Sequence, residues 1–390
     1  MNRKIDRYKI AFIGWNPFQL IHVKSLLLSM PHARFIIEKR ADNNEKAFSL
    51  TLLDECSSQI VVLAQREIIT LDKKYDIIIA QTPFSDIEKF QNAKIVFLQY
   101  GYAKAPHNYG TWRALGDLSL AYGEYAKEKF LAFSPAVCVG NPRYDSWHSR
   151  DFHQKSLEKY RDFIDRDKKS LLYLPTWGDL SSFDRYIDAI LALEDSYNIL
   201  IKLHHNTDYL ELNRKSKIEK KKIQYFGLND DILELLSVVD VVISDYSGAI
   251  FDAIYCQRPL VLLDIEESYL SKSKKIDKES LEFSQRDILG KRVSSPMMLR
   301  DVVDSIDSDK IQNSNLVELK ERLFLQTKNA QSNIIEALGD LMDGRYKREQ
   351  TQQYIRNSIL QLYQKKCIKD IFRKKAIKLY LYILSFWRNR

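Results

Sequence analysis

Glycine is scarce in this chain, with 12 among 390 residues. Neither G-x-G-x-x-G nor G-x-x-x-x-G-K-[ST] occurs. Their absence argues against a dinucleotide dehydrogenase and a P-loop NTPase, which both need a glycine-rich turn where phosphate oxygens meet the backbone. The four cysteines, Cys56, Cys138, Cys256 and Cys367, are scattered without a C-x-x-C pair. That excludes a disulfide framework and fits a reducing compartment. No stretch approaches the roughly 20 apolar residues a membrane-spanning helix requires. The apolar run Ile10 to Gly14, behind a short basic start, is too brief for a secretory signal. A cytoplasmic protein is therefore expected. The D-x-D matches Asp165-Arg166-Asp167 and Asp307-Ser308-Asp309 lie in polar segments away from strand ends and read as solvated charges. No other cluster has ligand spacing, so neither a metal nor a cofactor is expected.

The net charge of +8 is not spread evenly. From Tyr354 to Arg390 there are ten Lys and Arg against one acid, Asp370, which leaves the rest of the chain at about −1. A nucleic-acid binder would carry its charge over a folded face, so no nucleic-acid partner is expected. In the tail, Ile355, Ile359, Leu362, Ile368, Ile371, Phe372, Ile377, Leu381, Leu384 and Trp387 interleave with the bases. A basic amphipathic helix of this kind suits an anionic membrane surface, and a helix packed on the protein body is the competing reading.

The body alternates short apolar runs with helix-length amphipathic spacers in both halves, the pattern of parallel sheets covered by helices. Candidate strands are Lys9–Trp15, Arg34–Glu38, Gln59–Ala64, Tyr75–Gln81, Lys94–Tyr100 and Val137–Gly140, then Ser170–Leu174, Asn198–Leu203, Ile223–Phe226, Val241–Ser244 and Leu260–Leu263. The expected fold is α/β and GT-B-like: two facing Rossmann-like domains, 1–148 and 149–345, followed by the basic helical tail 346–390. Ligands would then bind at the carboxyl ends of the strands.

The stretch from Asp240 to Asp264, DVVISDYSGAIFDAIYCQRPLVLLD, is the most informative part of the chain. Its apolar strand ends at Ser244, a small-residue turn Ser247-Gly248-Ala249 follows, and apolar positions then recur at helical spacing. A helix N-terminus offers unpaired N–H groups and roughly half a positive charge, enough to hold phosphate without lysine. Two further strand ends would face the same cleft: Leu174-Pro175-Thr176-Trp177-Gly178-Asp179 and Lys202-Leu203-His204-His205-Asn206. A histidine at such a place is a functional candidate.

YLPTWGDLSSFD, IKLHHN and the Asp240–Asp264 segment resemble the CDP-glycerol glycerophosphotransferase family of teichoic-acid and capsule synthesis, as does Gly140-Asn141-Pro142-Arg143-Tyr144-Asp145 at the domain junction. The resemblance implies a GT-B-like enzyme that moves a polyol phosphate from a CDP-linked donor to a hydroxyl, releasing CMP. It implies that His204 contacts the donor phosphates, that Ser247 and the Gly248 backbone bind the pyrophosphate, and that Asp252 lies toward the donor. Arg143, Thr176, Trp177, Lys202 and Asp245, within the matched segments, are further substrate-binding candidates. It also implies a lipid-linked glycan acceptor and work on the cytoplasmic membrane face. Two departures are visible: Ser-Gly stands where the family has Ser-Ser, and Leu98-Gln99-Tyr100-Gly101 has no histidine where the family carries W-H-G. The nearest replacement is His107 in AKAPHNYGTWR, a candidate general base because free imidazole titrates near neutrality. Arg113 in the same loop is a candidate anion contact. A GT-B glycosyltransferase using a nucleotide sugar keeps the same fold, and a membrane-recruited scaffold with a degenerate site is the non-enzymatic alternative.

Overall fold

Runs such as Ile10–Gly14, Ile77–Ala80, Val241–Ser244 and Leu260–Leu263 are buried at every position, as strands covered on both faces must be. The computed structural model describes residues 4–40, 48–220, 223–227, 230–266, 277–306 and 314–365. Seven strands form the first sheet: β1 (Ile10–Gly14), β2 (Arg34–Lys39), β3 (Ile60–Ala64), β4 (Ile77–Ala80), β5 (Lys94–Leu98), β6 (Leu118–Ala121) and β7 (Ala136–Cys138). Their order is β3-β2-β1-β4-β5-β6-β7. The second sheet holds β8 (Lys169–Leu174), β9 (Tyr197–Ile201), β10 (Val241–Ser244), β11 (Leu260–Leu263) and β12 (Lys291–Val293) in the order β12-β11-β10-β8-β9. Every named pairing is parallel. The order reverses between β1 and β4 and again between β8 and β10, so each sheet has a crevice at its carboxyl end.

The two-residue period of a strand sends alternate side chains to opposite cores. Ala11 and Ile13 enter one cluster while Phe12 enters another, and Leu171 and Tyr173 part in the same way from Leu172. Phe12 and Leu172 belong to the same cluster, so the inner faces of both domains share one continuous core. The helix Pro17–Leu28 begins with a full capping box between Asn16 and Gln19, which fixes the chain direction directly after β1.

Several elements differ from the expectation. β6 and β12 were not expected: Ser119 interrupts the apolar run of the first, and the second opens on the charged pair Lys291-Arg292. Among the described residues Ile223–Phe226 makes a single bridge, from Phe226 to Lys202, and Phe226 is held by its ring against Tyr160 and Phe163. After β12 the chain forms two further helices, Ser314–Leu323 and Ala330–Met342. Between them Leu325 N–H donates to the Tyr122 carbonyl at 2.7 Å. A Cβ on Gly123 would stand 2.2 Å from the Leu323 carbonyl oxygen, so only glycine permits this backbone approach. These helices therefore return to the first domain although they follow the second in sequence.

The start of the tail also docks there. Gln352 Nε2 donates to the Leu131 carbonyl at 2.7 Å, and Ile359, Leu360 and Tyr363 pack against the core of the first sheet. This corrects the assignment of Ile359 to a membrane-facing surface, because its apolar side chain already has a protein partner. The rest of the expected tail, 366–390, lies outside the described residues. Among the described residues no helix is long and apolar enough to cross a membrane.

Candidate functional site

A cavity of about 210 Å³ opens between the carboxyl ends of the two sheets. From the second domain it is walled by Thr176 after β8, Lys202 and His204 after β9, Ser247 and Gly248 after β10, and Asp252 on the helix Ala249–Tyr255. From the first domain come His107 after β5 and Arg143 after β7. Eight sequence-predicted residues thus meet in one cleft. Trp177, Asp245 and Arg113 do not line it.

Ser247 is buried at the turn, and its hydroxyl accepts from the Ala249 N–H at 3.2 Å. Gly248 is exposed beside it. A Cβ there would lie 3.6 Å from the Ala103 Cβ, an ordinary contact, so the serine expected from the family pattern would also fit. The two domains approach at this point.

His204 starts the helix His205–Leu210, and its Nδ1 accepts from the Asn206 N–H at 3.1 Å. Burial, then His205, Lys104 and Lys202, hold its pKa far below the ordinary imidazole range. The ring is therefore neutral, and with Nδ1 accepting, Nε2 carries the proton. It offers a hydrogen-bond donor to a phosphate oxygen without taking up a proton itself. His205 is lowered to about 4, mainly by burial, and stacks on Phe18 from the other domain at 5.7 Å. The Lys202 ammonium donates to the Gly227 carbonyl.

Asp245 was expected as a substrate contact, and the structure assigns it another place. It is fully buried and accepts from Thr176 N–H at 2.9 Å, Ser182 N–H at 2.8 Å and Ser182 Oγ at 2.8 Å. It thereby folds the 175–182 loop that presents Thr176. Trp177 stands behind His204 with ring centroids 6.0 Å apart. It supports the imidazole and does not form the cavity wall.

His107 lies on the short helix Ala105–Asn108. It is exposed at the rim of the cleft, and surrounding protein, then Lys104 and Arg113, lower its pKa. A neutral imidazole at the cleft is the form a general base needs. Tyr100, at the place of the missing histidine, also lines the cavity, but burial lifts its phenol far above the neutral range. It remains protonated and cannot serve as base. Arg113 is a correction: it is fully buried, Nε donates to the Asn108 carbonyl at 2.7 Å, and the guanidinium lies 3.7 Å over the Phe130 ring. It braces the loop of His107 from beneath and does not reach the cleft.

Arg143 stands 3.7 Å from Asp252 and 3.6 Å from Asp231. Burial alone would favour loss of its proton, and the two carboxylates more than offset this. Its Nε and Nη2 are buried and have no hydrogen-bond partner among the described residues. Asp252 accepts from the Tyr144 hydroxyl at 2.7 Å and is raised by burial. Cavity residues missed in the sequence include His22, Lys104, His205, Asp230 and Asp231. His22 meets Arg143 Nη1 at 3.1 Å through Nε2. Its position on the first helix after β1, beside the reversal of strand order, was the available signal. Among the described residues, no group of three or more His, Cys, Asp or Glu could hold a metal.

The sequence model of the family described as CDP-glycerol:poly(glycerophosphate) glycerophosphotransferase matches residues 126–337. The teichoic acid poly(glycerol phosphate) polymerase of Bacillus spizizenii is 33% identical over 141 residues, covering 33% of this chain and 35% of the relative. The teichoic acid glycerol-phosphate transferase of Staphylococcus aureus is 32% identical over 139 residues, covering 32% of this chain and 33% of that protein. The chain thus spans about a third of the length of these curated relatives. Among solved structures, wall teichoic acid polymerase TagF with CDPG superposes with a TM-score of 0.59 at 17% identity, covering 90% of this chain and 89% of that one. That likeness establishes the GT-B-like α/β fold.

Proposed function

Because the chain belongs to the CDP-glycerol:poly(glycerophosphate) glycerophosphotransferase family, we propose that it transfers a polyol phosphate from a CDP-linked donor to a hydroxyl of a glycan acceptor in cell-surface polymer synthesis. The observation that carries this reading is the meeting, in one cleft, of the Ser247-Gly248 turn, His204 and Lys202 from one domain with His107 and Arg143 from the other. In the reaction, an acceptor oxygen attacks the β-phosphorus of the donor as His107 takes its proton. A new P–O bond forms, the pyrophosphate P–O bond breaks, and CMP leaves with the bonding pair. His204 Nε2–H, the turn backbone and Arg143 face the charge that builds on the phosphates, where fixed donors act most strongly.

The test is release of CMP by the purified full chain from CDP-glycerol and CDP-ribitol, with a UDP- and CMP-sugar panel alongside and a lipid-linked acceptor present. His204→Ala removes one hydrogen bond to a charged phosphate, and a loss of about 10- to 100-fold in kcat/KM is expected. Turnover confined to a nucleotide sugar would move the assignment to a glycosyltransferase.

The basic tail supports peripheral attachment to anionic lipid on the inner face of the plasma membrane, where a lipid-linked glycan would be met. Deleting 366–390 is expected to release the protein from anionic vesicles while donor turnover persists. Unchanged vesicle binding would defeat the attachment reading.

A further inference from the structure

The helix that carries His107 is not capped by its own domain. Its N-cap, Lys104, sits in the left-handed region at φ 58°, a conformation a lysine adopts only when its surroundings hold it there. Two groups from the second domain do so. Glu282 Oε1 accepts from the Lys104 N–H at 2.7 Å, and Ser280 Oγ accepts from the Ala105 N–H at 2.8 Å. Ser280 in turn donates to Asp277 Oδ2 at 2.8 Å, which orients its lone pairs toward the helix. Glu282 is 1% exposed although it belongs to a four-residue helix, Leu281–Ser284, at the domain boundary. Its second oxygen has no hydrogen-bond partner among the described residues.

This segment is anchored to the donor-side strand ends. Arg286, just beyond it, donates to the Asp245 carbonyl at 3.0 Å, to Asp264 Oδ1 at 3.1 Å and to the Leu263 carbonyl at 2.9 Å. A continuous set of hydrogen bonds therefore runs from the ends of β10 and β11, through residues 280–286, to the first turn of the His107 helix.

We propose that Glu282 and Ser280 are positioning residues that clasp the His107 helix from the opposite domain, so that the imidazole is set over the cleft only when the two domains are in register. The inference rests on the reading of His107 as general base. Without the clasp, the Lys104 and Ala105 amides lose their acceptors and the left-handed turn loses its support. The helix would then be free to shift away from the cleft and from Lys104 and Arg113. Burial, Lys104 and Arg113 are what lower the His107 pKa, so an opened helix returns that pKa toward the ordinary imidazole range.

The experiment compares the full chain with Glu282→Ala, Glu282→Gln and Ser280→Ala, using CDP-glycerol as donor. Amide hydrogen exchange at 104–109 is expected to quicken in Glu282→Ala and Ser280→Ala and to stay near the unaltered chain in Glu282→Gln, whose amide oxygen can accept the same bond. For Glu282→Ala, kcat is expected to fall about tenfold or more with donor KM unchanged, as small misplacements of reacting groups do. Its acid limb should move upward, and Glu282→Gln should restore most of the loss. Unaltered exchange in both alanine variants would overturn the proposal, as would a fall in kcat with an unmoved acid limb, the mark of a merely structural role. Ser280→Ala removes one bond only and keeps the test open if Glu282→Ala does not fold. If the unaltered chain releases no CMP, the functional reading falls, and the exchange data still decide the clasp.

Discussion

Replacing His107 by alanine is expected to lower kcat for CMP release by about 10²- to 10⁴-fold, the usual worth of a positioned general base. Donor KM should change little, because on the proposed reading the donor lies against the ends of β8, β9 and β10 of the other domain. That split distinguishes His107 from His204, whose loss is expected to weaken donor engagement. The unaltered enzyme should show an acid limb in kcat below the ordinary imidazole pKa of 6.5, since the His107 pKa is lowered. The sign follows from the chemistry: the base acts only when unprotonated, so activity rises with pH as the imidazole loses its proton. His107→Ala should abolish that limb. An alanine variant with kcat within a factor of about two would transfer the role of base elsewhere in the cleft.

The second large effect is on stability. Asp245→Ala would strip acceptors from two buried N–H groups and a hydroxyl, at Thr176 and Ser182. An orphaned buried donor costs about 1–3 kcal/mol, so a loss of about 3 kcal/mol or more is expected in thermal or urea unfolding. The 175–182 loop would loosen with it, and with that loop the placement of Thr176. The effect has a defined pH dependence. Burial lifts the Asp245 carboxyl to about 6, above its ordinary 3.8. The native state therefore holds a proton that the unfolded chain has already released in that interval. The contribution of Asp245 is fully present below about pH 4 and declines as pH rises through about 6. Asp245→Ala should thus cost more at pH 5 than at pH 8, and a cost growing with pH would contradict the burial of this charge.

Much of this molecule was legible in the chain itself. β1, β4, β10 and β11 are unbroken apolar runs flanked by turn residues, a local property that survives without knowledge of neighbours. Thr176, His204 and Ser247 sit where such runs end, and parallel strands deliver their carboxyl ends to one edge, so their convergence followed from position alone. β6 escaped because Ser119 interrupts its apolar run, and β12 because two of its three residues, Lys291 and Arg292, are charged.

What the sequence could not decide was the fate of polar residues in loops. Arg113 and His107 lie six positions apart with similar chemistry, yet one is sealed beneath Phe130 and the other reaches the cleft. Asp245 and Asp252 differ in the same way, one closing a loop and the other facing the cavity. Burial of a charge depends on which surfaces are brought against it: Arg113 meets Phe130 across 17 positions, and Asp245 meets Thr176 across 69. Local periodicity determined the two α/β sheets and the strand ends that form the cleft. The packing of one domain on the other decided which side chains there remain free to do chemistry, because desolvation and hydrogen-bond partners are properties of the assembled tertiary structure.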